Sequence, residues 1–168
     1  ILRRRCQKRD MNENAREVIF FNFEEDFVEA GVKCIPMIVR FKLDAVGIKL
    51  KLGEWNRMTR EQRLRLAHAE CESPQHVIRY REDLYKLLSI QSAESPTLIP
   101  VEQNPPWSRK DEIPYTIKEK LKEMSMDMEL DQWQQLTDLQ RFALLKLSYS
   151  GHENKNFPKA LAEFKIRR

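Results

Sequence analysis

From Pro36 onward the chain sets apolar residues at helical spacing: Ile38, Val39, Phe41 (with the aliphatic stem of Lys42 beside it) and Val46. Proline at the head of the run suits the first turn of a helix, where a missing amide N–H costs nothing. Gly47 ends that helix. Ile48-Lys-Leu-Lys-Leu52 then alternates apolar with polar, the mark of an extended segment. A turn carrying Trp55 leads into Thr59-x-x-Gln62, the spacing of a capping box. There the Thr hydroxyl accepts from an amide one turn into the helix, and the Gln side chain accepts from the cap amide. A further helix opens at Ser73-Pro74 and carries the stripe Val77, Tyr80, Leu84, Leu87 and Leu88.

The pattern then returns. Residues 35–69 align without a gap to residues 113–147 at a constant offset of 78. The identical pairs are Ile35/Ile113, Pro36/Pro114, Lys42/Lys120, Leu43/Leu121, Leu52/Leu130, Trp55/Trp133, Thr59/Thr137, Gln62/Gln140, Arg63/Arg141 and Leu66/Leu144. Ordinary residue usage would give roughly two identities in such a window. Substituted pairs such as Val39/Ile117, Ile48/Met126, Met58/Leu136 and Leu64/Phe142 stay apolar. In the second copy Ile117, Leu121 and Met124 carry the first helix, Ser125 stands where Gly47 stood, and Pro158, Leu161 and Phe164 mark the closing helix.

These features predict an all-α fold: a tandem duplication of a roughly three-helix unit, packed as one compact helical domain. The expected organisation is a basic arm over 1–18, a first unit with an aromatic lead-in over 19–90, a Pro-rich linker over 91–111, and a second unit over 112–168. Segments 48–52 and 126–130 are expected as extended connections packed on the helices, a pairing between them remaining open. Pro96, Pro100, Pro105 and Pro106 extend the linker, and Trp107 is expected to pin it to the surface. Phe20, Phe21, Phe23, Phe27 and Val28 are expected to bury across the seam between the units. The repeated tryptophans and capping boxes read as structural, because each has a local partner to satisfy.

Composition narrows the class. With 41% hydrophobic and 33% charged residues, the 168-residue chain is globular rather than disordered. No apolar run approaches the roughly 20 residues needed to span a bilayer. No apolar segment follows the basic residues 3–9 as a signal peptide would require, so a cytoplasmic protein is expected. The net charge of +4 resides in residues 1–10, which hold five basic residues and one acid and precede Met11. The remaining residues balance, which argues against a nucleic-acid binder.

Candidate chemistry is sparse. Cys6, Cys34 and Cys71 are an odd, scattered set with no CxxC, suiting free thiols in a reducing compartment. His68 and Cys71 stand at i, i+3, but two ligands hold no structural zinc, and neither a metal nor a cofactor is expected. The chain has no phosphate loop, no nucleophile–His signature and no paired carboxylates at defined spacing. A metal- or thiol-dependent enzyme would need Cys34, Cys71, His68 and His152 to converge.

Where the copies differ is more informative. The second is six residues longer, in Gly151-His-Glu-Asn-Lys-Asn-Phe157, which reads either as a polar helix connection or as a partner contact. His152 with Glu153 is the one pair there able to titrate near neutral pH. The first copy holds eight basic against three acidic residues, the second five against six. A bias of that size suggests an acidic partner or an anionic group at the first copy. Candidate partner-binding residues are therefore His152, Glu153, Asn154, Lys155 and Asn156, together with Arg57, Arg60 and Arg65. The same basic face is what a nucleic-acid-binding or regulatory helical protein would use.

Several stretches resemble one known family. Phe21-Asn-Phe-Glu-Glu-Asp-Phe27, Cys34-Ile-Pro-Met-Ile-Val-Arg40, Lys42-Leu-Asp44, Gly47-Ile-Lys-Leu50, Pro105-Pro-Trp107, Leu139-Gln-Arg-Phe-Ala-Leu-Leu-Lys-Leu-Ser148 and Gly151-His-Glu-Asn-Lys-Asn-Phe157 are similar to the nitrate reductase-associated proteins best known from cyanobacteria. The resemblance spans about residues 19–166. It implies a small soluble accessory factor needed for active assimilatory nitrate reductase, with the reductase or its ferredoxin-type electron donor as partner. It supplies no catalytic residues.

Overall fold

The computed structural model describes residues 20–27, 35–91, 95–149 and 155–166. Among them are eight α-helices: α1 (Met37–Val46), α2 (Leu52–Arg57), α3 (Arg60–His68), α4 (Pro74–Gln91), α5 (Tyr115–Glu123), α6 (Leu130–Gln135), α7 (Asp138–Tyr149) and α8 (Asn156–Glu163). Short 3-10 helices cover Asn22–Phe27 and Pro106–Ser108, and a two-stranded ribbon pairs β1 (Ile48–Lys49) with β2 (Thr97–Leu98). The fold is helical, as expected. Helices α1, α2 and α3 begin 78 residues before α5, α6 and α7.

Local physics explains the recurrence. Pro36 and Pro114 sit one place earlier than expected, as extended cap residues whose carbonyls accept from Arg40 (2.9 Å) and Lys118 (3.2 Å). Gly47 (φ 67°) and Ser125 (φ 52°) both end their helices in the left-handed region. Only the first must be glycine: a Cβ there would lie 2.8 Å from the Ile99 carbonyl oxygen and from Val101 Cγ2, while Ser125 is exposed. Both Thr-x-x-Gln boxes form, with Gln62 and Gln140 accepting from the cap amides at 2.9 and 2.8 Å. The tryptophans lie on short helices rather than turns, so each unit has four helices instead of three. Those short helices are held at their starts, where Glu54 and Gln132 accept from the amides of Lys51 and Glu129.

Two apolar cores result. The first gathers Val39, Leu43, Val46, Ile48, Trp55, Met58, Leu66, Leu84 and Leu88; the second Ile117, Leu121, Trp133, Phe142, Leu144, Phe157 and Leu161. Helix α1 serves both, because residues four apart share a helix face. Val39, Leu43 and Val46 enter the first core, whereas Met37 and Phe41 pack on the second. The aromatic lead-in straddles the seam. Phe21 and Phe23 stack and meet Phe164 (5.0 and 6.2 Å between centroids), while Phe20 meets His68 edge-on at 6.3 Å. The Phe27 side chain and Val28 lie outside the described residues.

The linker departs most from expectation. Segment 48–49 pairs with the linker's Thr97–Leu98, not with 126–130. Trp107 does more than pin a surface loop: it is half-buried at the seam against Phe41 (4.9 Å) and Phe142 (6.1 Å). Arg141, fully buried, holds it there by donating Nε to the Trp107 carbonyl (2.8 Å), Nη1 to the Leu136 carbonyl (2.5 Å) and Nη2 to Asp138. Trp133 adds its indole N–H to the Arg109 carbonyl at 2.9 Å. Arg141→Ala strands the buried Leu136 carbonyl and the half-buried Trp107 carbonyl and is expected to lower the unfolding free energy by about 3 kcal/mol. Arg63→Ala, at the aligned but half-buried position, is expected to cost under about 1.5 kcal/mol; urea unfolding of both variants checks the contrast.

Candidate functional site

The second unit's groove between α6 and α7 is covered by the linker, while no described residue covers its counterpart in the first unit. There Trp55, Phe20 and Pro36 combine with Arg60, Arg63, Leu64 and Ala67 of α3 around a crevice of roughly 290 Å³, open solvent included. Helical spacing of 60, 63/64 and 67 puts the α3 residues on one face. The surface continues onto Glu61, Arg65 and His68. Arg63 lies over the Trp55 ring (5.6 Å) and donates to the carbonyls of Trp55 (3.1 Å) and Asn56 (3.0 Å). Trp55 is 1% exposed, yet its indole N–H finds no acceptor. Arg60 and Arg65 are exposed and make no ion pair among the described residues.

Of the residues singled out from sequence, Arg60 and Arg65 stand at this crevice; Arg57, exposed on the last turn of α2, does not line it. His152, Glu153 and Asn154 lie outside the described residues. Lys155 and Asn156 open α8, on the second core. Of the thiol and imidazole set, Cys34 and His152 lie outside the described residues. Among the described residues no group of three or more His, Cys, Asp or Glu side chains gathers as a metal site.

Among the described residues, four ionisable groups are shifted by burial. Lys42 runs inward and donates to the carbonyls of Ala67 (2.5 Å) and Ala69 (2.7 Å), closing the C-terminal end of α3. Burial lowers its pKa, and burial likewise raises that of the Cys71 thiol, so this cysteine is a poor nucleophile at neutral pH. Burial also pushes the Tyr80 phenol far upward; its hydroxyl donates to the Leu66 carbonyl at 3.2 Å.

Glu24 is the fourth. It accepts from the Met37 amide at 2.8 Å, giving α1 the N-terminal acceptor that Pro36 lacks, while its other oxygen is buried without a partner. Burial pushes its pKa up to about 7, against the backbone hydrogen bonds of Met37 and Phe21 and the charge of Arg40, with Glu163 adding repulsion. Its only sequence signal was position: an acid in an aromatic stretch ahead of a helix that starts with proline.

Fold and site together define a small helical protein whose most distinctive surface is an apolar crevice with a basic rim. The chain belongs to the conserved nitrate reductase-associated protein family, whose model matches residues 20–164. Membership ties it to nitrate reductase, as the resemblance implied. No curated protein and no solved structure matches it. No helix among the described residues is long and apolar enough to cross a membrane.

Glu24 generates a prediction with a definite sign. Its folded pKa lies above the unfolded value of 4.5, so its contribution is fully present below pH 4.5 and is lost as pH rises to about 7. Glu24→Gln cannot ionise. Its stability relative to the native chain is expected to climb by about 3 kcal/mol between pH 4.5 and 7.5, at about 1.4 kcal/mol per pK unit. Urea unfolding across that range checks it, and a constant difference would refute it.

Proposed function

We propose that this protein is a non-catalytic accessory factor for assimilatory nitrate reductase, acting by protein–protein binding in maturation, cofactor insertion or electron delivery. The direct partner is the reductase or its ferredoxin-type electron donor. The observation that carries this reading is the family match across residues 20–164. The first unit's crevice supports it, since an apolar floor under a basic rim suits docking of an acidic protein segment. A burial-suppressed Cys71 thiol fits a binding role better than thiol chemistry. The same reading takes the two units as a tandem duplication in which one copy kept an open groove, supported by the constant offset of 78 between their helix starts.

Affinity capture from cells assimilating nitrate tests it. The protein is expected to recover nitrate reductase or the ferredoxin-type donor. Reversing Arg57, Arg60 and Arg65 to Glu should cut recovery about tenfold while leaving the far-ultraviolet spectrum unchanged, because exposed rim charges govern encounter more than folding. Recovery of neither partner, with the reductase fully active in cells lacking the protein, sinks the proposal.

A further inference from the structure

The covered groove of the second unit shows what the open groove of the first is built to hold. In the second unit Trp133 and Arg141 take their acceptors from the main-chain carbonyls of Arg109 and Trp107, at 2.9 and 2.8 Å. The Trp107 ring meets Phe142. The occupant is therefore the Pro-Pro-Trp-Ser 3-10 turn, read through its backbone carbonyls, with one aromatic side chain laid on the floor. The aligned residues of the first unit are Trp55, Arg63 and Leu64, and all three line the crevice. The Trp55 N–H is buried without an acceptor, a group that costs free energy until a carbonyl reaches it.

Charge tells how the two occupants differ. In the second unit Asp138 pairs with Arg141 from three residues away. The aligned residue in the first unit is Arg60, so two guanidinium groups three apart line the crevice in place of a cation and an anion. The missing carboxylate must come from the ligand.

We propose that the first-unit crevice binds a proline-containing turn of a partner protein, which offers main-chain carbonyls to Trp55 and Arg63, an aromatic side chain to Leu64, and a carboxylate to Arg60. It rests on the accessory reading only for whose segment this is; the ligand chemistry stands on the crevice itself.

The test titrates the isotopically labelled full-length protein with a synthetic peptide holding Asn-Pro-Pro-Trp-Ser followed by glutamates, and follows the indole N–H resonances. The Trp55 signal is expected to move downfield, while those of Trp107 and Trp133 stay in place. Leu64→Asp should weaken binding about tenfold. Arg60→Asp, which recreates the second unit's charge pair at an exposed helix start, should weaken the glutamate peptide about tenfold and leave a glutamine version unaffected. A stationary Trp55 signal at saturating peptide overturns the inference. So does a Trp55 N–H already at a hydrogen-bonded chemical shift in the free protein, which would mean that the chain fills its own crevice. Capture of nitrate reductase undiminished by Leu64→Asp, with no peptide binding, removes the crevice and leaves the accessory role standing. Peptide binding without capture supports the crevice and counts against the reductase and its donor as the source of the segment.

Discussion

The buried guanidinium of Arg141 is the interaction on which the rest of this fold leans. A cation with no solvent contact must have its donors satisfied, and it finds them in the linker at Trp107, in the end of α6 at Leu136 and in Asp138 at the start of its own helix. Those bonds bring a proline-rich segment down onto α7. Trp107 is thereby placed at the seam, where it meets Phe41 of α1 and Phe142 of α7. Lys146 adds a bridge to Asp44 at 2.7 Å across the same seam. One polar requirement thus orders the linker, and the ordered linker joins the two cores.

The first unit has the same tryptophan–arginine pair without that closure. Arg63 turns back onto the carbonyls of α2, and its guanidinium covers the Trp55 ring. The indole N–H keeps no acceptor, and Arg60 replaces the balancing acid. What is a structural clamp in one unit is an open, positively charged groove in the other.

Around this frame, ionisable side chains finish helices that their own caps leave incomplete. Glu24 supplies the acceptor at the start of α1, Lys42 the donor at the end of α3, and Glu163 receives the amides of Asn22 and Phe23 at 2.9 and 3.3 Å. Each ties a helix terminus to an element distant in sequence. Glu24 does so from a site that holds its proton near neutral pH, so the lead-in's attachment to α1 is the most pH-sensitive of the three.

The sequence by itself determined the local structure: helix periodicity, both Thr-x-x-Gln boxes, the glycine stop at Gly47 and the burial of Trp55 and Trp133. These follow from interactions between residues a few positions apart, which repeat wherever the residues repeat. It also pointed to Arg60 and Arg65, because a charge difference between aligned segments survives folding. The pairing of Ile48–Lys49 with the linker was not legible, since alternation marks a strand without naming its neighbour. Nor was the division of α1 between two cores, the burial of Arg141, or the raised pKa of Glu24. Arg63 and Arg141 are identical letters at aligned positions; only the tertiary structure lays a strap over one and leaves the other at an open crevice. Desolvation and hydrogen-bond partners across long sequence separations are properties of the packed molecule, and they decide which of the two arginines is buried scaffold and which stands at a surface.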